Sequence, residues 1–280
     1  MRKKVIIWMI ALVLVFIALC LAFLYKPSKD AVSVTVVCPT QKVIKDNVKI
    51  GDMWKKGRKL TASEQGFLDT TYENDFCITL SNNTIKGDKA VFGEAGFKSM
   101  EEFEASKYSN IVKTNYGKIE GIDNGEWGGK VKFSPYVGLG YTLVGENFRG
   151  FYMVNGRLFV LTGLVHGMGD KGSLYELYFD NGSWKAKLIY NFKSSPNTYL
   201  VVENNVYVIT NKALYLMENG TTVKTILKKA FWDGLYPNSM ILANSKLYVG
   251  MRGGMFSVGL DDKAITWYPI VDRLKSPSDF

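Results

Sequence analysis

Asn204-Asn205-Val206-Tyr207-Val208-Ile209 decides the fold, because its pattern returns as Asn155-Gly156-Arg157-Leu158-Phe159-Val160 and as Asn244-Ser245-Lys246-Leu247-Tyr248-Val249. Each copy is a polar turn that opens an alternating apolar strand. Each is followed by a second strand and a second turn: Leu174 to Phe179 then Asn181-Gly182, Leu214 to Met217 then Asn219-Gly220, and Phe256 to Leu260 then Asp261-Asp262. A weaker copy reads Ile111 to Thr114, Ile119 to Ile122, then Asn124-Gly125. Asn-Gly between alternating runs signals a hairpin, since both residues tolerate the positive φ of a type I′ turn.

The separations from Val112 to Asn124, Tyr207 to Asn219 and Tyr248 to Asp261 are 12, 12 and 13 residues, whereas Phe159 to Asn181 is 22. Three copies agree, and the fourth carries an insertion. The turns at 124, 181, 219 and 261 lie 57, 38 and 42 residues apart, near the ~40 to 50 residues of a propeller blade. One period holds four strands, at Thr198 to Glu203, Val206 to Thr210, Leu214 to Met217 and Val223 to Leu227. The expected fold is therefore all-β, with propeller-like repeats of four-stranded antiparallel blades, clearest over residues 109–280. An antiparallel β-sandwich with regular hairpins is the alternative. At roughly 42 residues per blade the domain has room for five or six. Earlier in the chain, Val32 to Val37 and Phe76 to Leu80 read as strands, and Ser99 to Glu104 as a short helix with Ser99 as its N-cap.

The N-terminus has a different character. Met1-Arg2-Lys3-Lys4 is basic, and Val5 to Tyr25 runs without charge or proline until Lys26-Pro27-Ser28-Lys29-Asp30. At about 1.5 Å per residue such a run covers a ~30 Å hydrocarbon core. The reading is a cytoplasmic tail (1–4), a transmembrane signal-anchor helix (5–25), a short linker (26–30) and an extracytoplasmic domain (31–280), in a single-pass cell-membrane protein. A signal peptide cleaved after Ala22 is the main rival. Leu19 ahead of Cys20 argues against a lipoprotein site.

The composition, 47% hydrophobic and 14% aromatic, is that of a folded domain. Of the formal charge of +9, residues 1–30 supply five positives and one negative, leaving 9 − 4 = +5 without an arginine cluster. Nucleic-acid binding gains no support. Beyond Cys20 in the apolar run, Cys38 and Cys77 are the remaining cysteines, open either to a disulfide in an oxidising compartment or to two buried thiols. With His166 the one histidine, no metal-ligand set forms, and neither a P-loop, a dinucleotide fingerprint nor a Gly-x-Ser-x-Gly elbow occurs. No cofactor is expected.

The stretch from Phe151 to Pro269, including Thr162-Gly163-Leu164-Val165-His166-Gly167 and Leu247-Tyr248-Val249-Gly250-Met251-Arg252-Gly253-Gly254, resembles segments of uncharacterised bacterial exported β-propeller-like proteins. The resemblance covers under half of the chain and implies a fold without an activity.

In a propeller, the turns between strands two and three and the connectors from strand four to the next blade emerge at one end. That end would carry Gly163 to Gly172, Ser194 to Asn197, Asn211, Asp233 to Asn238 and Arg252-Gly253-Gly254. The candidate ligand face is thus His166, Asp170, Lys171, Asn211, Asp233, Tyr236 and Arg252, with the 163–172 insertion as a glycine-rich loop and His166 with Asp170 as an acid-base pair or polar clamp. Trp184, Trp232 and Trp267 read as blade-packing aromatics, with stacking on sugar rings as the other use. Sparse titratable residues favour a non-catalytic binding or scaffold module for a protein, peptide or cell-wall glycan. The alternative is an exported propeller enzyme, a hydrolase or lyase of cell-surface glycan, using the loop around His166.

Overall fold

Asn181 and Gly182 have φ of 50° and 77°, and Asn219 and Gly220 have φ of 51° and 77°, so the Asn-Gly pairs do turn the hairpins they were expected to turn. The structure is a computed structural model that describes residues 40–41, 47–60, 75–93, 96–99, 110–167, 169–228 and 231–270. The apolar run 5–25, the Val32 to Val37 strand and Cys38 lie outside the described residues. Among those described, no helix is long and apolar enough to cross a membrane.

Three short strands come first, β1 (Thr40–Gln41), β2 (Lys49–Ile50) and β3 (Arg58–Lys59), then β4 (Phe76–Ser81), β5 (Thr84–Gly93) and β6 (Gly96–Ser99). Four meanders follow: β7 (Ile111–Thr114), β8 (Gly117–Asp123), β9 (Gly129–Pro135) and β10 (Tyr141–Val144); β11 (Phe148–Val154), β12 (Arg157–His166), β13 (Gly169–Asp180) and β14 (Ser183–Phe192); β15 (Pro196–Val202), β16 (Asn205–Thr210), β17 (Leu214–Glu218) and β18 (Thr222–Leu227); β19 (Ser239–Ala243), β20 (Lys246–Met251), β21 (Gly254–Gly259) and β22 (Ile265–Pro269). Each meander is one sheet, and the fifth sheet is built on the β4–β5 hairpin with β2 and β6 paired to β5. These five sheets are propeller-like blades. The short N-terminal strands are shared out: β1 runs parallel to β15, β2 parallel to β5, and β3 antiparallel to β22.

Inner strands of the last two meanders are covered on both faces, and the sequence shows it as unbroken apolar runs, whereas β7 to β9 alternate buried and exposed positions. Ser239 to Ala243 and Gly254 to Gly259 are buried at every position. Tyr152 and Phe159 of one blade pack with Tyr199, Val206 and Met217 of the next in a core that continues to Leu247 and Phe256. A second core joins Val48, Phe76, Ile78 and Ile85 to Ile241, Tyr248 and Met255. The N-terminal hairpin and the C-terminal meander are therefore neighbours, fastened by the Ile78 amide donating to Ser239 Oγ at 2.7 Å.

One expectation needs correction, and another falls beyond reach: Ser99 closes strand β6, and the helix expected over residues 100–104 lies outside the described residues. Asn124-Gly125 is not a tight hairpin turn: Asn124 has φ −108°, and a 3-10 turn spans Gly125–Trp127 between the second and third strands of its blade. The counterpart of Asn181-Gly182 in that blade is the loop between β9 and β10, at Tyr136 to Gly140. Counted from Val137, the repeat intervals become 181 − 137 = 44, then 38 and 42, which are closer to uniform than those counted from residue 124.

Gly220 sits at positive φ with its would-be Cβ 3.1 Å from the Phe159 ring and 3.2 Å from Val154. Gly220→Val is expected to lower stability by about 1 kcal/mol or more in urea unfolding, from backbone strain at φ > 0 and crowding together. Burial drives the Tyr152 hydroxyl pKa well above its ordinary value and also raises those of Tyr207, Tyr215 and Tyr248. The unfolded chain ionises these groups near pH 10 and the folded chain at higher pH, so stability should hold below about pH 10 and fall as pH rises beyond it. Urea midpoints measured between pH 8 and 11 check this, and Tyr152→Phe should soften the decline.

Candidate functional site

Antiparallel meanders send every second-to-third-strand turn and every connector between blades to the same end. Hydrogen bonds link the two kinds of loop there. Ser195, in the connector before β15, donates its amide to Asp170 Oδ1 at 2.7 Å. Arg252 donates its amide to the Leu235 carbonyl at 2.8 Å. Asn197 Nδ2 donates to Asn211 Oδ1 at 2.7 Å, and the buried Trp232 indole donates to the Thr210 carbonyl at 2.7 Å.

The insertion is ordered strand. The β12–β13 ladder continues through Gly163↔Gly172, Leu164↔Lys171, Val165↔Asp170 and His166↔Gly169. Gly163 and Gly172 serve close approach, because a Cβ would stand 2.5 Å from Ser195 Oγ at the first and 2.5 Å from Pro196 Cδ at the second. The same register separates the expected pair. Cross-strand partners share a face and successive residues alternate, so His166 and Asp170 project from opposite faces of the hairpin. Asp170 instead accepts from Ser195 and meets Lys212 Nζ at 3.1 Å. His166 Nδ1 lies 3.2 Å from Glu126 Oε2, at the 3-10 turn of the neighbouring blade.

Arg252 and Tyr236 do come together. The guanidinium lies over the Tyr236 ring, 4.5 Å from its centroid, and reaches Asp75 through Nε at 3.1 Å and Nη2 at 3.3 Å. Tyr236 holds φ 51° and is 45% exposed, while Asp233 and Lys171 are exposed and Asn211 half-buried. A concave surface of about 490 Å³ along β2 and β5, lined by Lys49, Asp52, Met53 and Lys86 among others, shares no residue with this set. Cys77 is buried in β4 opposite Asp88.

The three expected tryptophans are buried, at 4%, 0% and 5% exposure for Trp184, Trp232 and Trp267. Trp232 stacks on Phe256 with ring centroids 5.2 Å apart, so packing is their use. Among the described residues the exposed tryptophan is Trp127, at 85%, next in sequence to the Glu126 that meets His166. Its place in Asn124-Gly125-Glu126-Trp127-Gly128-Gly129, an indole among glycines between two strands, was the available signal. Sequence reading also missed the ties beneath it. Arg149 Nη1 meets Asp123 Oδ2 at 3.0 Å, Asn147 Nδ2 donates to Asp123 Oδ1 and to the Gly125 carbonyl at 2.6 Å each, and Glu146 accepts from Thr162 and Tyr175. Burial lowers the Arg149 pKa, with the Asp123 carboxylate opposing that shift.

This end thus presents Trp127, Val165 and Tyr236 to solvent, while Asp170, Arg252 and Asp123 are engaged in holding loops together. Removing one partner of a partly buried charged pair strands the other. Arg252→Ala should lower unfolding stability by about 1.5–3 kcal/mol, and Arg252→Lys should recover only part of that, because an ammonium cannot bind Asp75 in bidentate fashion.

No protein-family model matches the chain, and no curated protein matches it. Among solved structures, similar chains include virginiamycin B lyase from Staphylococcus aureus, an inactive variant with quinupristin (10% identity, 78% of this chain and 89% of that one, TM-score 0.36). The N-terminal domain of Nup159 shares 10% identity over 82% of this chain and 55% of that one, with TM-score 0.33. A gluconolactonase from Xanthomonas campestris shares 7% identity over 85% and 100%, with TM-score 0.27. These neighbours are β-propeller-like proteins.

Proposed function

We propose that this chain is a membrane-anchored, extracytoplasmic binding or scaffold module. It engages a protein, peptide or cell-wall glycan through the end that carries the 163–172 hairpin, residues 233–238 and residues 252–254. The observation that carries this reading is the division of labour at that end. Asp170, Lys212, Arg252 and Asp75 are occupied with one another or with backbone, whereas the indole of Trp127 at 85% exposure and Val165 at 47% offer contact area beside the exposed Lys171 and Asp233. Large exposed apolar groups on ordered loops mark contact surfaces more often than they mark chemistry. The apolar run 5–25, with basic residues on both flanks, supports the anchor.

The His166–Glu126 contact favours one competing reading, an exported enzyme acting on cell-surface glycan, since a carboxylate at Nδ1 orients an imidazole for proton transfer. Pull-down from membrane and cell-wall extracts separates the two. The protein is expected to retain partners that it loses when residues 164–171 are replaced by a short Gly-Ser turn, with His166→Ala behaving like the parent. A folded hairpin variant that keeps every partner rules out this end. Turnover of a glycan that falls about 10² to 10⁴-fold in His166→Ala favours the enzyme.

A further inference from the structure

At the opposite end, the turns of the other blades are polar: Asn155-Gly156 and Asn181-Gly182, Asn219-Gly220, Asn244-Ser245 and Asp261-Asp262. The 111–144 blade departs from this rule. Between β9 and β10 it carries Tyr136-Val137-Gly138-Leu139-Gly140, in which Val137 is 91% exposed, Leu139 94% and Tyr136 70%. A hairpin can turn on two polar residues, so an apolar tip of this size answers no folding need.

The base of this loop is held firmly. The Tyr136 amide donates to the Tyr116 carbonyl at 3.0 Å and its hydroxyl to the Thr114 carbonyl at 3.2 Å. Tyr141 packs edge-on to Phe133, and its hydroxyl both donates to the Trp184 carbonyl and accepts from the Trp184 amide. Tyr116 stacks on Phe179 with ring centroids 4.3 Å apart. The tip is thus presented on a rigid aromatic base, which cuts the entropy lost on docking.

Charge beside the loop identifies the occupant. Lys113 and Lys118 are direct cross-strand partners, both exposed, and Lys118 in turn faces Ser134 at the foot of the loop. Glu120 Oε2 lies 3.8 Å from Lys118 Nζ and 3.1 Å from Lys132 Nζ, so one carboxylate serves two lysines and the group keeps a net positive charge that an anionic surface attracts. Aliphatic residues at a tip, tyrosines at its shoulders and lysines behind them reproduce the layering of a bilayer interface: acyl chains, headgroup boundary, anionic surface.

We infer that the 136–141 loop inserts shallowly into the bilayer surface, with Lys113 and Lys118 against anionic headgroups. The inference rests on the anchored reading for its setting. It assigns the two ends opposite tasks, one for lipid and one for the partner.

The test uses the full chain reconstituted in vesicles of phosphatidylcholine with phosphatidylglycerol, part of the lipid brominated. Leu139→Trp should be quenched at least twofold more than Val165→Trp at the other end, and the excess should shrink in purely zwitterionic vesicles. Equal quenching at the two positions overturns the inference. So does concentration-dependent self-association in detergent that Leu139→Asp abolishes without any excess quenching, which would make the loop a contact between copies. Resistance to alkaline carbonate extraction reports the anchor separately. A chain that is extracted disproves anchoring, whereas an anchored chain with no excess quenching disproves only the loop.

Discussion

The structure depends on a single constraint: the inner strands of the C-terminal blades are apolar on both of their faces. Strands such as Ser239 to Ala243 and Gly254 to Gly259, buried at every position, cannot be stable in an isolated sheet, nor on the outer layer of a two-layer fold. They need a neighbour on either side, which stacking successive blades supplies. The same requirement explains why one core runs from Tyr152 through Tyr207 to Phe256 instead of breaking at blade boundaries. Along these junctions burial does the stabilising work, while polar groups gather at the two ends.

At one end those polar groups solve a geometric problem. Turns and connectors from adjacent blades meet there with backbone amides and carbonyls that the ladders do not use. Asp170 takes the amide of Ser195, Trp232 supplies a donor to Thr210, and Asn147 bridges Asp123 and Gly125. Arg149–Asp123 and Arg252–Asp75 serve adjacent blades in the same manner, each a charged pair with one member nearly buried. Residues that look chemically promising in sequence are, in this setting, satisfying backbone and fixing loop positions.

The repeat was legible because strand alternation and Asn-Gly turns are local properties, and the four strands around Tyr207 fall within a residue or two of their expected bounds. The frame of the weakest copy was not legible. Any hairpin of this size covers about a dozen residues, so Val112 to Asn124 matches Tyr207 to Asn219 in length although the first spans strands one and two and the second spans strands two and three. Distance along a meander does not count strands. The pairing of His166 with Glu126 was equally hidden, since it joins different blades 40 residues apart, whereas the separation of His166 from Asp170 follows from register once the hairpin is known to continue. Burial of the tryptophans could not be read from one strand, since the side chains that cover them come from other strands, as Phe256 covers Trp232.

The partnership between the beginning and the end of the domain has a consequence in time. The Val48 amide donates to Asn244 Oδ1 and the Val48 carbonyl accepts from Asn244 Nδ2, across a sequence separation of 196 residues. At about 5 to 20 residues per second, a ribosome delivers Asn244 some 10 to 40 s after Val48. Once made, Phe76, Ile78 and Ile85 spend the rest of that interval without the apolar wall against which they finally pack. The earliest part of the body to be synthesised is therefore among the last to be completed, and the nascent chain must spend that interval with sticky, half-built sheet in need of shielding.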